Sequence, residues 1–326
     1  MDRHRPGRAR QDPRSRAGAD HPGPGRGPDP ETGGTMTNTT TTAAVRRRQR
    51  NHPVLLLLPA AIVTAVLMAI PIVTTIVRVI ADGGTGITRL FRLPDVGQVF
   101  LNTLYWTIGS VVGAIVIGYA GALVLQSKKL RLAGVWRSLL MIPWIIPGVV
   151  GATVWRWTLS TDYGILNQTL LDLGLIAEPV RWLSDPGIVL WAVALIQIWV
   201  TAPFVMLMVS AALTTIPAER YEAARLDGAG NLAVLRHIIL PAIRPTTGIC
   251  VLTLAIWALN SFTIIWVATS GGPAGASTIL PILLYQAFQN GDQALVSAVA
   301  LVQVFIGAVF AVFFVRTMRT DLEEQT

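Results

Sequence analysis

Residues able to do chemistry are sparse in this chain and badly spaced for it. The single cysteine, Cys250, lies in an apolar run and excludes an internal disulfide, so it reads as a small packing residue. His4, His21, His52 and His237 are scattered without metal-ligand spacing, and neither HExxH nor GxSxG occurs. The only lysines, Lys128 and Lys129, sit in QSKKL, so no glycine-rich loop ending in Lys-Ser/Thr exists to cradle a nucleotide. The pattern predicts a protein that is not an enzyme, holds no metal and uses no cofactor. What remains is one long polar stretch, Glu219 to Pro241, ERYEAARLDGAGNLAVLRHIILP, set between two apolar runs. Its chemistry is that of a docking surface.

The local signals in that stretch predict helix, glycine elbow, helix. Pro217 suits the first turn of a helix, with Thr214 or Thr215 available as its cap, and Glu219 and Glu222 then lie near the positive end of the helix dipole. Good helix formers run to Asp227. Gly228 and Gly230 are expected to stop the helix by taking the left-handed conformation, after which a second helix starts at Asn231 and breaks at Pro241. Taken alone, the pattern also fits a solvated amphipathic loop held by its own pairs, such as Glu222 with Arg225.

The elements that must position this stretch are membrane spans. With 52% hydrophobic and 13% charged residues over 326 positions, the chain is too apolar for a soluble domain and reads as an all-α polytopic membrane protein. Six apolar runs, near 54–79, 100–125, 138–158, 187–213, 246–269 and 294–315, are each long enough to cross a hydrocarbon core that needs about 20 helical residues. Pro143, Pro147 and Pro203 are expected to kink the third and fourth. Residues 1–50 are rich in Pro, Gly, Arg and Thr and are expected to form a disordered basic tail, with Met36 as an alternative start and no cleavable signal. Residues 51–318 then form the membrane domain, with the loop 217–241 inside it, and 319–326 a short tail.

Charge sets the orientation. Of 26 basic and 18 acidic residues, the tail holds 11 arginines and 5 acids, which leaves the remainder nearly balanced. No basic face carries interleaved aromatics, so no nucleic-acid partner is expected. Basic residues at the ends of the spans collect on one side: Arg46, Arg47, Arg48 and Arg50; Lys128, Lys129, Arg131 and Arg137; Arg220, Arg225, Arg236 and Arg244; Arg316 and Arg319. The other side has Arg89, Arg92 and Arg181, with Arg78 and Arg156 at helix ends. Both termini and the Glu219–Pro241 loop are therefore expected in the cytoplasm of a multi-pass cell-membrane protein. All acidic residues fall outside the six runs, which argues against proton coupling.

EAARLDGAG, with Ile238 and Leu240-Pro241 following Gly228 after nine intervening residues, resembles the EAA loop of ABC importer permeases, the membrane subunits that serve an extracytoplasmic binding protein. NTLYW (102–106), RSLLMIPWIIP (137–147), DYGILN (162–167) and TSGGPAGAST (269–278) resemble the maltose, glycerol-3-phosphate and trehalose branch. The likeness covers roughly residues 52–318. It implies that the loop docks into a cytoplasmic ATP-binding subunit dimer, beside a second homologous permease chain in a heterodimer. Tyr221 and Leu226 would then offer apolar contact, Ala223 and Ala224 close approach, Glu222 and Asp227 charge, and Gly228 the angle.

The resemblance also implies that sugar contacts lie in the fourth and fifth runs. There, Gln197, Thr201 and Phe204 fall on one helix face, and Trp257, Asn260 and Ser261 are expected to share another. Together they offer hydrogen bonds for hydroxyls and flat rings for the apolar face of a sugar. They fit interhelical bonding as well. A sugar phosphate, polyamine or oxyanion cargo is an alternative, with Arg156 the one residue favouring an anion, and a non-transporting scaffold is a further one.

Overall fold

The computed structural model describes residues 52–126 and 131–323. The tail 1–50 with Met36 and its arginines, Lys128 and Lys129, and the last three residues lie outside the described residues. The chain divides into two units, Met1–Thr64 and Ala65–Thr326. In the first, residues 52–64 are helix, with exposed apolar side chains from Leu57 onward.

The described residues are helical with no strand. In chain order the helices are α1 (His52–Ala81), α2 (Thr85–Arg92), α3 (Val96–Gln126), α4 (Ala133–Ile145), α5 (Gly148–Thr158), α6 (Ile165–Asp172), α7 (Val189–Leu213), α8 (Ala218–Leu226), α9 (Asn231–Ala242), α10 (Arg244–Leu259), α11 (Thr263–Thr269), α12 (Leu280–Gln289) and α13 (Gln293–Glu323). α1, α3, α7 and α13 are long and apolar enough to cross a membrane unaided. Two bent pairs, α4–α5 at 97° and α9–α10 at 71°, raise that number to as many as six.

Two of the six expected runs are not continuous helices. The third breaks at Ile146-Pro147, because a residue before proline is pushed out of the helical region, and Ile146 is extended at φ −67°, ψ 131°. The fifth ends at Leu259 and resumes at Thr263. Pro143 and Pro203, by contrast, are carried inside α4 and α7. The two breaks are neighbours: a Cβ on Gly148 would touch Thr263 at 3.9 Å, and Arg156 of α5 donates to the Val267 carbonyl of α11 at 3.3 Å.

The core is built on the parallel pair α3 and α7. Gly109 faces Trp191, Gly113 faces Ile198, Gly118 faces Val205 and Gly121 faces Met206, so small residues let the helix axes approach closely. A Cβ on Gly118 would stand 2.5 Å from the Val205 Cβ and 2.9 Å from the Ala202 carbonyl oxygen. One buried cluster gathers Trp106, Val193, Ile196, Ile265 and Ile282. A second joins Val205, Met206, Leu213, Ile216, Ile239, Ile243 and Leu254. A third joins Leu90, Val99, Leu280, Leu295 and Val299.

The polar members of the sequence motifs fasten this frame. Asn102 of NTLYW is 1% exposed and donates to the Gly275 and Thr278 carbonyls at 3.2 and 3.0 Å, and Trp106 Nε1 donates to the Ala258 carbonyl at 3.0 Å. The Thr103 hydroxyl accepts the Leu280 N–H at 3.1 Å. TSGGPAGAST is thereby tied to α3. Asn167 of DYGILN accepts from the Val180 N–H and Trp182 Nε1 and donates to the Val180 carbonyl, holding the loop before α7.

Candidate coupling elbow and mid-bundle polar path

The elbow is a helix stop followed at once by a helix start. α8 ends with two reciprocal backbone bonds, Ala229 N–H to Ala224 O at 2.8 Å and Gly228 N–H to Arg225 O at 3.1 Å, the pattern of a Schellman cap. It places Gly228 at φ +77°, where a side chain is strained, although nothing lies within 4 Å of a Cβ there. Conformation rather than space selects glycine. Gly230 does not share that role: it is extended, φ −71° and ψ 167°, as the residue before α9, and the left-handed stop expected of it belongs to Gly228 alone.

Two further expectations are corrected. Thr214 and Thr215 do not cap α8, because their hydroxyls bond back to the Ala211 and Ala212 carbonyls of α7 at 2.7 and 2.8 Å. Pro217 itself precedes the first helical residue, with no side-chain cap. Nor does Pro241 break the second helix. Its ring would press on the carbonyl four residues back, and the backbone widens instead into a π turn over Leu235–Ile239, closed by Leu240 N–H to Leu235 O. The helix then continues to Ala242 and bends at Ile243, φ −102° and ψ 11°, into α10.

The elbow's side chains separate into two sets. Tyr221 is half-buried and packs with Val234, Leu235 and Ile238 against the second core cluster, so it anchors α8 to the bundle rather than projecting as free contact area. Its phenol oxygen is buried without a hydrogen-bond partner among the described residues, and burial pushes its pKa up. Leu226 is 89% exposed and Leu232, which the motif does not single out, is 77% exposed. Glu222, Ala223, Asp227 and Gly228 are exposed and Ala224 is half-buried, while Glu222 and Arg225 form no ion pair with each other. Two open hollows flank α8. Ala223, Ala224 and Asp227 line one with His237 and Pro241, and Glu222 lines the other with Leu232 and Leu235.

Halfway along α7, the structure brings some of the expected path residues together and separates others. Gln197 and Thr201 are buried, and Thr201 donates to the Gln197 carbonyl at 2.8 Å. The Ser261 hydroxyl donates to Gln197 Oε1 at 3.4 Å. Phe204 lies 5.0 Å from Trp257 and 6.0 Å from Trp144, ring centre to ring centre, so α4, α7 and α10 contribute one aromatic cluster. Trp144 escaped the sequence reading, since the run RSLLMIPWIIP offers no spacing that links it to α7. Trp144 and Trp257 are about 40% exposed and open to whatever lies beside this chain.

Trp257, Asn260 and Ser261 do not share a face. The helix ends at Leu259, so Ser261 turns to α7, while Asn260 Oδ1 accepts from Gln303 of α13 at 3.1 Å. Gln303 also donates to the Leu259 carbonyl at 3.3 Å, which the break deprives of its helical partner. An amide in the last apolar run thus supports the break in the fifth. A separate polar hollow of about 450 Å³ lies at the far end of the bundle from the elbow, where Arg156, Asp162 and Ser184 face Thr269 and Gly272.

A helical bundle with four to six apolar spans defines a polytopic membrane protein. The chain belongs to the family described as binding-protein-dependent transport system inner membrane components, whose family model matches residues 114–319. It is 35% identical over 236 residues to a probable ABC transporter permease protein of Brucella suis biovar 1, covering 72% of this chain and 81% of that one. It is 32% identical to the trehalose/maltose transport system permease protein MalF of Thermococcus litoralis, covering 67% and 72%. It is also 32% identical to the sulfoquinovosyl glycerol transport system permease protein SmoG of Agrobacterium fabrum, covering 72% and 75%. The fold matches a chain of a bacterial ABC transporter involved in import of the acidic polysaccharide alginate, with TM-score 0.75 and 20% identity over 85% of this chain and 99% of that one.

Proposed function

We propose that this chain is a permease subunit of an ATP-driven importer that passes a sugar, as a mono-, di- or oligosaccharide, from an extracytoplasmic binding protein to the cytoplasm by alternating access. The observation that carries this reading is the exposed Schellman elbow, joined through Tyr221, Ile239 and Ile243 to the same buried cluster that packs α3, α7 and α10. A push on the elbow reaches the helices that carry Gln197 and Trp257 without crossing a flexible loop. The naming of several relatives for sugar transport supports the cargo.

In this reading the chain has no ATPase site of its own and works with a second permease chain in a heterodimer and a cytoplasmic ATP-binding dimer. The loop 217–241 sits in the ATPase cleft, with Glu222, Ala223, Ala224, Leu226, Asp227 and Gly228 facing it and Tyr221 anchoring it. Closure of the ATPase dimer drives the paired permeases from inward to outward access, and the binding protein then releases its sugar to Gln197, Thr201, Phe204, Trp257, Asn260 and Ser261. The basic tail 1–50 and residues 319–326 lie in the cytoplasm and 51–318 form the membrane domain.

The test is ATP hydrolysis by the purified complex in lipid nanodiscs. Binding protein loaded with its sugar is expected to stimulate hydrolysis, and the identity of the stimulating sugar names the cargo. Stimulation by a polyamine or an inorganic oxyanion, with none by any sugar, overturns the cargo. No stimulation by any loaded binding protein overturns the importer reading in favour of a scaffold.

A further inference from the structure

Helix α2, Thr85–Arg92, presents three chemically distinct faces. At about 100° per residue, Gly86 and Leu90 share one face, Ile87 and Phe91 a second, and Thr85, Thr88, Arg89 and Arg92 a third. The first face is buried in the bundle. A Cβ on Gly86 would stand 2.2 Å from the Ala294 carbonyl oxygen, and Leu90 is fully buried beside Val99, Leu295 and Val299. The second is apolar yet open, with Phe91 60% exposed. The third faces outward and carries both arginines.

The connections of α2 fix its level. Residues 82–84 join it to α1 and residues 93–95 join it to α3, and both of those helices are long enough to cross the membrane. Three residues reach at most about 10 Å. The headgroup layer extends roughly 5 to 8 Å beyond a hydrocarbon core about 30 Å thick, and connections this short keep α2 beside the ends of the two spans, within reach of that layer. Asp82 draws the first connection tighter by accepting hydrogen bonds from the Thr85 hydroxyl and, at 2.9 Å, the Gly86 N–H.

We propose that α2 lies in the phospholipid headgroup layer, with Ile87 and Phe91 entering the acyl-chain boundary and Arg92 holding a lipid phosphate. The charge pattern favours lipid over a protein partner. Arg89 is engaged by Asp292 at 3.2 Å, and Asp292 also accepts the Leu295 N–H. Arg92 makes no hydrogen bond or ion pair among the described residues, the neighbouring Asp95 included. A protein surface over this face would bury that cation beside two apolar side chains, at the cost of desolvating it. A bilayer places phosphate directly above acyl chains, the same order in which α2 presents Arg92 and its Phe91–Ile87 pair.

The test uses the whole transporter in nanodiscs of phosphatidylethanolamine and phosphatidylglycerol. Because Cys250 is the only cysteine, a Cys250→Ala background accepts single reporters at Ile87→Cys, Thr88→Cys and Phe91→Cys, each labelled with a small fluorophore. Lipid carrying a nitroxide near the top of its chain is expected to quench positions 87 and 91 at least about two-fold more strongly than aqueous iodide does, with the order reversed at 88. Quenching of 91 by iodide alone places α2 in water and overturns the proposal. Shielding of 91 from both quenchers places it under protein and overturns it equally. Native mass spectrometry reads the phosphate contact: Arg92→Gln is expected to lower phospholipid retention about five-fold, and unchanged retention removes Arg92 from the proposal.

Discussion

The hydroxyl of Ser261 donates to Oε1 of Gln197 at 3.4 Å, joining residues 64 positions apart where the fifth apolar run breaks. The bond spans α7 and the 260–262 break, and it uses the Gln197 oxygen while leaving the amide NH2 available. Gln197→Ala and Ser261→Ala should each lower stability in detergent modestly, with a coupling of about 0.6 kcal/mol in a double-mutant cycle. Because both residues are proposed to receive the sugar, Gln197→Ala and Ser261→Ala should each raise the transport KM, and an unchanged KM in both variants would assign the pair to structure alone.

Gly228 and Gly230 look equivalent in the motif and are not. Gly228 is at φ +77° with open space around it, whereas Gly230 is at φ −71°. Gly228→Val should cost about 1 to 2 kcal/mol in the elbow and uncouple ATP hydrolysis from uptake, and Gly228→Asn should retain most of the coupling, because asparagine tolerates the left-handed region. Gly230→Ala should transport normally. Parallel assays of ATPase activity and uptake check all three, and uncoupling by Gly230→Ala would contradict the conformational account.

The helical class, the elbow and the family were legible because they depend on local signals: apolar run length, a glycine flanked by helix formers, and a spaced motif. The breaks were harder to read. Pro147 marked one as a kink, but the bend of 97° is a full break, made where Ile146 leaves the helical region ahead of the proline. The break at Asn260 was invisible because it is supported from outside by Gln197 and Gln303, residues of other helices. Assigning Trp257, Asn260 and Ser261 to one face failed for the same reason. Asn102 and Asn167 are motif letters in the sequence, and only the fold reveals them as fasteners of distant loops.

Gly118 makes the tightest claim on backbone approach within the α3–α7 seam. A Cβ there would meet the Val205 Cβ at 2.5 Å and a backbone oxygen at 2.9 Å, and neither can swing aside. Gly118→Val should destabilise the protein by about 1 to 3 kcal/mol through overpacking, with a lower melting temperature and poorer monodispersity in detergent. Gly134→Ala, where no atom lies within 4 Å of the added carbon, provides the control and should melt like the parent. A Gly118→Val protein as stable as the parent would mean that the seam is looser than the structure shows.

Tyr221 separates the two readings of the elbow. Were its hydroxyl a contact to an ATPase subunit, Tyr221→Phe would weaken assembly of the complex. The structure instead turns the ring toward Val234, Leu235 and Ile238 and leaves the buried oxygen without a partner among the described residues. Removing an unsatisfied buried hydroxyl is neutral or stabilising, whereas removing the ring opens a cavity costing about 3 to 5 kcal/mol in a full core and less at this half-buried site. Tyr221→Phe should therefore assemble, hydrolyse ATP and transport like the parent, and melt at the same temperature or slightly higher. Tyr221→Ala should loosen α8 from the bundle and lose coupling. Leu226→Ala, at a side chain 89% exposed, should leave the melting temperature of the isolated chain unchanged and weaken association with the ATPase. Co-purification and melting curves of the three variants decide the matter, and loss of assembly in Tyr221→Phe with a normal melting temperature would return the hydroxyl to the contact surface.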